Sequence, residues 1–145
     1  MKEYIYLIVP ITSLIIAQII KFTIESVQYK EIEWTRLFNG SGGMPSTHTS
    51  FSFSLVMIIG YVNGFNSPLF ALGLVFCLIV SYDAMGVRYE SGRQAIIING
   101  ILKDLDRKDF KALKEKVGHK PLEVIMGFVL GFCTSSLFAI ALNII

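Results

Sequence analysis

The sequence is poor in the residues that define several large protein classes. Only two of its 145 residues are cysteines, Cys77 and Cys133. Both lie inside apolar runs, so we expect buried apolar side chains and no disulfide framework. Charged residues make up 17%, and 13 Lys and Arg against 11 Asp and Glu leave a net charge of +2. This charge is too small to favour a nucleic-acid partner. We find no internal repeat and no low-complexity tract.

What the chain has in abundance is apolar sequence. The hydrophobic fraction of 53% and the mean hydropathy of +0.60 exclude a disordered segment or a coiled coil. We predict helices for the four apolar stretches, 4–20, 51–65, 68–82 and 122–145. A helix rises about 1.5 Å per residue and the hydrocarbon core is roughly 30 Å thick, so the middle two cross only with flanking residues. We therefore predict an all-α integral membrane protein, an antiparallel bundle of about four spans in which residues 1–145 form a single domain.

Local signals complete the outline of the bundle. Residues 4–20 follow Lys2 as a secretory signal would, but no small-residue cleavage pattern comes after them, so we expect a retained helix. Residues 63–68 are rich in turn formers and predict a hairpin between the second and third spans. Gly127-x-x-x-Gly131 favours a helix-packing surface in the last span.

Two segments between the third and fourth apolar stretches are harder to place. Residues 96–102 are apolar but too few to cross a bilayer, which favours an interfacial or re-entrant helix. Residues 103–120 alternate acidic and basic side chains, with apolar residues at helical intervals. This pattern predicts a short amphipathic helix at the membrane surface, with its charged face in water.

The basic residues are unevenly distributed between the two sides of the predicted bundle. Lys2 alone lies at the amino-terminal end of the first span, whereas the other twelve Lys and Arg residues fall in the two loops on the opposite side. Basic residues near span ends favour the cytoplasm. We therefore expect these loops, and the chemistry that they hold, to face the cytoplasm of a bacterial cell, with both chain ends outside.

The unusual polar residues sit where an antiparallel bundle brings four helix ends to one face of the membrane. They are Gln18 and Lys21 in the first span, residues 42–48 before the second, Asp83 and Arg88 after the third, and residues 118–123 before the fourth. This topology brings together His48 and His119, the two histidines of the chain. A homo-oligomer of this chain is compatible with such a bundle.

Each of these groups has a chemical and a purely structural interpretation. Lys21 and Arg88, taken singly, are typical of side chains that reach for the membrane interface. Gly42 and Gly43 before a helix offer backbone N–H groups and a positive dipole end to a phosphate, yet glycines are also ordinary loop residues. Ser46, or the threonine after it, is equally suited to capping the helix.

The spacing of His119 and Glu123 suggests a catalytic pair. If the helix begins as early as His119, the two lie on one face, and Glu123 can accept a hydrogen bond from one ring nitrogen while the other stays basic. Glu123 in a first helical turn also suits the helix dipole. Metal ligation by the histidines is the weaker alternative, because the acids nearby are limited to Asp83 and Glu123. We expect Asp83 to pair with Arg88 or Lys21.

Read in order, these motifs resemble a known family. The chain has Lys21, then Gly-Gly-Met-Pro-Ser-Thr-His at 42–48, Asp-Ala-Met-Gly-Val-Arg at 83–88, Gly-Arg-Gln-Ala at 92–95 and Gly-His-Lys-Pro-Leu-Glu-Val at 118–124. This order resembles the divergent branch of the type 2 phosphatidic acid phosphatase superfamily, which is related to the vanadium haloperoxidases. The resemblance covers nearly the whole chain.

The resemblance implies a reaction and a set of roles. His119 would attack phosphorus and form a phosphohistidine, Glu123 would orient it, and His48 would protonate the leaving oxygen. The implied phosphate-binding groups are Lys21, Arg88, Ser46, Gly42 and Gly43. No metal or cofactor is implied, in keeping with a reaction that needs positive charge, an in-line nucleophile and an acid.

The chain also departs from the superfamily pattern. Lys21 lacks the Arg-Pro that usually follows it, which leaves Arg36 or Arg93 as substitutes, and thirty residues separate Arg88 from His119 instead of five. We predict a membrane phosphatase acting on a phosphorylated lipid: a phosphatidate-like lipid, phosphatidylglycerophosphate or a polyprenyl diphosphate. The alternative is a noncatalytic lipid or anion carrier that keeps the phosphate pocket.

Overall fold

The computed structural model describes residues 4–30, 42–107 and 109–145. Within these ranges every regular element is helical and no strand forms, which confirms the all-α prediction. The structure has five α-helices in the described part of the chain: α1 (Ile5–Tyr29), α2 (Thr47–Asn63), α3 (Pro68–Met85), α4 (Val87–Asp104) and α5 (Pro121–Ala141).

Three helical stretches of the described chain are long and apolar enough to cross a membrane. They are Ile5–Gln28, Pro68–Asp104 and Pro121–Ala141. In each of them most residues are not buried inside the bundle, and the exposed apolar side chains lie on its outside, where a bilayer would cover them. The helix α2 has 17 residues, and at about 1.5 Å per residue it falls short of a roughly 30 Å hydrocarbon core on its own.

The helix α2 forms the centre of the bundle and contacts α1, α3 and α5. Its buried face carries many small hydroxyl side chains, which allow neighbouring backbones to come close. The glycines of α5 use this space. A Cβ atom at Gly127 would lie 2.8 Å from the Ser46 carbonyl oxygen, and one at Gly131 would lie 2.8 Å from the Ser50 carbonyl oxygen. The expected packing role of these two glycines is confirmed, and their contact sets the start of α5 beside the start of α2.

A single methyl group at Gly131 is expected to destabilise the protein. The added Cβ would press on backbone of α2 that cannot rotate away, and overpacking of this kind costs about 1–3 kcal/mol. Gly100 in α4 is the matched control, because a Cβ there meets nothing within 4 Å and alanine favours a helix over glycine by about 1 kcal/mol. Thermal unfolding in detergent should show a lower midpoint for Gly131→Ala and an equal or higher one for Gly100→Ala. Equal shifts in both would contradict the packing role.

The connection between α2 and α3 is the predicted hairpin. Gly64 ends α2 with a φ of 90°, a left-handed conformation that glycine adopts without strain. The Ser67 hydroxyl accepts a hydrogen bond from the backbone N–H of Phe70 at 3.2 Å and so caps α3, and Pro68 occupies the first helical turn. The turn formers in the sequence therefore act at the positions expected of them.

The segment between α3 and α5 corrects two expectations. Residues 96–102 form the second half of α4 instead of a separate short helix. The amphipathic helix predicted for 103–120 is wrong, because α4 ends at Asp104 and the described residues from 109 to 120 are not helical. The Asn99 side chain donates to the Leu113 carbonyl oxygen at 2.9 Å and accepts from the Leu113 N–H at 2.8 Å. These bonds hold the segment around Leu113 along α4, and they use backbone groups that would otherwise bond within a helix.

The two cysteines differ in their surroundings. Cys77 is buried, as expected, but Cys133 is exposed on α5, so the prediction that both would be buried is wrong for Cys133. Both are free thiols, in agreement with the lack of a disulfide framework. An apolar run predicts an apolar environment but does not distinguish the protein core from the lipid. Cys133 faces the outside of the bundle, where the lipid would lie.

Candidate functional site

The segment that carries His119 is anchored to the α3–α4 junction. The backbone N–H of His119 donates to the Ala84 carbonyl oxygen at 2.9 Å. Gly118, with a φ of 80°, packs directly against the backbone of Arg88 and Tyr89, and a side chain at position 118 would collide with it. The absence of a side chain at Gly118 thus sets His119 beside Arg88, although thirty residues separate them in the sequence.

His119 and Glu123 form the pair that their spacing suggested. The Nδ1 atom of His119 lies 2.9 Å from the Oε2 atom of Glu123, and the imidazole is 7% exposed. The helix begins at Pro121, so His119 makes this contact from the extended residues before α5. The same carboxylate oxygen accepts hydrogen bonds from the backbone N–H groups of Lys120 at 3.2 Å and Gly43 at 3.3 Å. Three donors from two segments hold this oxygen in place.

The surroundings of His119 favour a neutral imidazole. Burial lowers the pKa of His119 below its ordinary value, and the cation of Lys21 acts in the same direction. The hydrogen bond to Glu123 and a backbone contact with Gly43 oppose this effect without reversing it. If Nδ1 carries the proton that Glu123 accepts, Nε2 keeps a lone pair, which is the form that a nucleophile needs.

Two basic side chains accompany the histidines. Lys21 of α1 is 5% exposed and has the acids Glu25 and Glu123 as its anionic neighbours. Arg88, in the first turn of α4, donates from Nε to the Oδ2 atom of Asp83 at 2.6 Å. Of the two partners expected for Asp83, the structure therefore shows Arg88. This ion pair is half exposed, so Arg88 can be reached from outside the bundle.

His48 lies in the first turn of α2 and is exposed. The charged and titratable groups close enough to act on its imidazole are Arg88, His119, Lys21 and Asp83. These groups come from α1, α3, α4 and the segment before α5. The structure thus brings the two histidines and the two basic side chains into one neighbourhood, as the antiparallel topology predicts.

The loop before α2 is fixed by backbone bonds. The backbone N–H of Ser46 donates to the Glu123 carbonyl oxygen at 2.8 Å, and the Ser46 hydroxyl accepts from the Thr49 N–H at 3.4 Å, so Ser46 caps α2. Gly43 has a φ of 114°, and a Cβ there would lie 3.1 Å from Oε1 of Glu25. The N–H of Gly42 points to the Lys116 carbonyl oxygen at 3.4 Å. These glycines let the loop lie against α1 and the residues before α5.

Three supporting residues have different positions. Gln18 accepts a hydrogen bond from the Thr47 hydroxyl at 3.1 Å, which ties α1 to the start of α2 beside the site. Arg93 pairs with Glu90 at 3.0 Å on the exposed face of α4. Arg36 lies outside the described residues. Among the residues that the structure describes, no three His, Cys, Asp or Glu side chains are grouped so as to hold a metal ion.

Glu25 is a site residue that the sequence analysis missed. It lies one helical turn after Lys21 and is buried. Glu25 and Glu123 are the two acids that act on the Lys21 cation. Its spacing of four residues from Lys21 on one helix was the signal that would have found it. A cavity of about 500 Å³ lies beside it, between Gly43 and Glu123, and neither histidine lines that cavity.

Comparison with known proteins agrees with this combination of fold and site. The helices and the exposed apolar surface define an integral membrane protein, and residues 3–134 match a family described as "Divergent PAP2 family". The chain belongs to this family. It is also similar to "Uncharacterized membrane protein YuiD" of Bacillus subtilis (strain 168), with 34% identity over 143 residues that cover 89% of this chain and 90% of that protein. No solved structure matches the chain.

Proposed function

We propose that the protein is a metal-independent phosphatase that hydrolyses a phosphorylated lipid through a phosphohistidine. The observation that carries this proposal is the buried His119 imidazole, held by Glu123 at 2.9 Å in a neighbourhood that contains Lys21, Arg88 and a second histidine. Transfer of a phosphoryl group to nitrogen requires an imidazole held in a fixed orientation and positive charge near the phosphoryl oxygens.

We assign the roles from the chemistry of each side chain. Nε2 of His119 attacks phosphorus, the bond from phosphorus to the lipid oxygen breaks, and His48 gives its proton to that oxygen. Water then attacks the phosphohistidine, His48 takes a proton from the water, and inorganic phosphate leaves. Glu123 holds the ring and stabilises the positive charge that develops on it. Lys21 and Arg88 bind the phosphoryl oxygens. Ser46, Gly42 and Gly43 do not have the phosphate-binding role that the resemblance implies, because Ser46 is buried and caps α2 and the two glycine amides bond to Lys116 and Glu123.

The position of the site at the ends of the helices indicates how a lipid would bind. The phosphate would enter the basic neighbourhood at the membrane surface, while the hydrocarbon stays beside the exposed apolar faces of the bundle. The excess of Lys and Arg in the same loops supports a cytoplasmic location for this face. The proposed substrates are phosphatidate-like lipids, phosphatidylglycerophosphate or polyprenyl diphosphate.

Phosphate release by the purified protein tests this function. We expect dioleoylphosphatidate in detergent micelles to release inorganic phosphate, with the same rate in the presence of EDTA. Loss of activity in EDTA with recovery on adding Mg²⁺ or Zn²⁺ would move the site to the metal-dependent class. Saturable binding without release from any of the three substrate types would instead support a noncatalytic lipid or anion carrier.

The pH dependence of kcat/KM gives an independent check. Burial lowers the pKa of His119, and the neutral ring is the reactive form, so activity should be lost as the pH falls through this lowered pKa. The acid limb should therefore lie below the ordinary histidine value of about 6.5. A profile that stays flat down to the acid denaturation of the protein would contradict a nucleophilic imidazole.

A further inference from the structure

The α3–α4 junction brings together two side chains that a continuous helix would keep apart. Asp83 and Arg88 are five residues apart, and on one α-helix their side chains would point about 140° away from each other. The helix breaks between them at Gly86, whose N–H donates to the Tyr82 carbonyl oxygen at 2.8 Å and whose carbonyl oxygen accepts from the Glu90 N–H at 2.9 Å. Gly86 thus completes α3 and starts α4. The break lets the Nε atom of Arg88 reach the Oδ2 atom of Asp83 at 2.6 Å.

The same junction holds the segment of the proposed nucleophile. The His119 N–H donates to the carbonyl oxygen of Ala84, the residue after Asp83, at 2.9 Å. A Cβ atom at Gly118 would lie 2.7 Å from the carbonyl carbon of Arg88, so the two backbones are in close contact. The backbones of Arg88 and His119 are therefore fixed relative to each other. What they leave open is the direction of the Arg88 side chain, and the bond to Asp83 fixes it.

This ion pair is poorly placed to stabilise the fold and well placed to direct a cation. The side chains of Arg88 and Asp83 are 48% and 36% exposed, and ion pairs open to solvent contribute little to stability. A guanidinium has five N–H donors, and the bond to Asp83 uses the one on Nε, so both Nη atoms remain for the oxygens of a phosphate. Arg88 is also the charged group that acts most strongly on the His48 imidazole. The guanidinium therefore lies near the proposed proton donor.

We propose that Asp83 is a positioning residue that holds the Arg88 guanidinium toward the phosphoryl oxygens of the transition state. The inference rests on the proposed function and adds a residue to its machinery. A guanidinium held by its Nε atom does not have to be ordered when charge develops on the phosphoryl oxygens, and this preorganisation lowers the barrier. The carboxylate also competes with a bound phosphate for the same cation. Asp83 therefore favours the transition state at the expense of affinity in the ground state.

The first test separates rate from affinity. Asp83→Asn keeps the size of the side chain and removes its charge, so kcat for phosphatidate should fall about ten- to a hundredfold, less than the roughly 10²–10³-fold loss on removing a whole donor. The Kd of inorganic phosphate, measured by equilibrium dialysis, should be equal to that of the wild type or lower, because a competing acid is gone. Asp83→Glu, which keeps the charge, should recover part of kcat. Glu90→Gln makes a similar change at the Arg93–Glu90 pair of α4 and, as the matched control, should alter neither quantity.

A double-mutant cycle shows whether Asp83 acts through Arg88. Arg88→Ala should lower kcat more than Asp83→Asn does, and adding Asp83→Asn to it should lower kcat no further. Effects that multiply in the double variant would overturn the proposal, because Asp83 would then act by another route, such as its charge near His48. Weaker phosphate binding in Asp83→Asn, together with a lower unfolding midpoint, would also overturn it, since the pair would then only support the fold.

A measurement without turnover keeps the inference apart from the function on which it rests. Orthovanadate becomes five-coordinate when an imidazole attacks it and so resembles phosphorus in the transition state. The wild type should bind orthovanadate more tightly than phosphate, and this preference should fall in Asp83→Asn by a factor similar to the fall in kcat. If no lipid is hydrolysed, the proposed function fails, and a reduced preference for vanadate in Asp83→Asn still supports the positioning role. If lipid is hydrolysed while Asp83→Asn keeps the wild-type kcat and the wild-type preference, the phosphatase stands and the inference is overturned.

Discussion

Replacing His119 with alanine is expected to abolish phosphate release, with a fall in kcat of at least about 10³-fold, because the nucleophile of the first step is lost. The variant should keep most of its affinity for the lipid phosphate, since Lys21 and Arg88 belong to other helices. Phosphate release gives kcat, and equilibrium binding to phosphatidate micelles gives the affinity. Both are measured on the same preparation. The protein should carry an affinity tag without histidine.

Loss of His48 should have a different signature. Without the proton donor, His48→Ala should lower kcat by about 10²–10⁴-fold but leave the attacking ring in place. The chain has two histidines, so any phosphohistidine found in His48→Ala can reside only on His119, and a P–N signal in phosphorus NMR would assign it. Wild-type turnover in both alanine variants would rule out the mechanism.

Much of this arrangement could be predicted from local sequence. The apolar runs, the hairpin and the small-residue face of α5 depend on neighbouring residues, which sequence displays directly. The pairing of His119 with Glu123 was predicted from their spacing. Its structural basis differs, however, because the helix begins at Pro121 and the pair also depends on the N–H of Gly43 from a distant loop.

The errors arise where distant residues decide the conformation. The charge pattern of residues 103–120 suits an amphipathic helix, but Asn99 of α4 bonds to both backbone groups of Leu113 and holds the segment in another form. The closeness of Arg88 and His119 likewise depends on Gly118 packing against the backbone of α4. Such contacts are tertiary, and nothing in the local sequence reports them.

The proposed phosphate site differs from the superfamily pattern in its basic residues. Lys21 and Arg88 come from separate helices and each has an acidic neighbour, Glu25 or Asp83, within the protein. In our proposal an anion that enters competes with these acids, which lowers its affinity but keeps the cations in position when the site holds no anion. Of the two substitutes expected for the Arg-Pro that is missing after Lys21, Arg93 pairs with Glu90 on the exposed face of α4 and Arg36 lies outside the described residues, so our proposal assigns the phosphate to Lys21 and Arg88.

Neutralising Glu123 is expected to be almost as damaging as losing the nucleophile. In Glu123→Gln the side chain keeps its size and one acceptor oxygen, but it can no longer offset the positive charge that develops on His119 during attack. Loss of the carboxylate behind a catalytic histidine lowers kcat by up to about 10⁴-fold in a comparable arrangement. We expect a fall of about 10²–10⁴-fold in kcat with little change in binding of phosphatidate.

A readout other than activity distinguishes this role from simple support of the fold. Glu123 raises the pKa of His119 against the dominant effect of burial. Its removal should therefore move the acid limb of kcat/KM to lower pH, whereas Glu90→Gln, at an exposed ion pair on α4, should leave both rate and profile unchanged. Glu123→Asp, which restores the charge with a shorter reach, should recover part of the rate. An unshifted acid limb in Glu123→Gln, together with a lower unfolding midpoint, would mean that Glu123 only supports the start of α5 and does not act on His119.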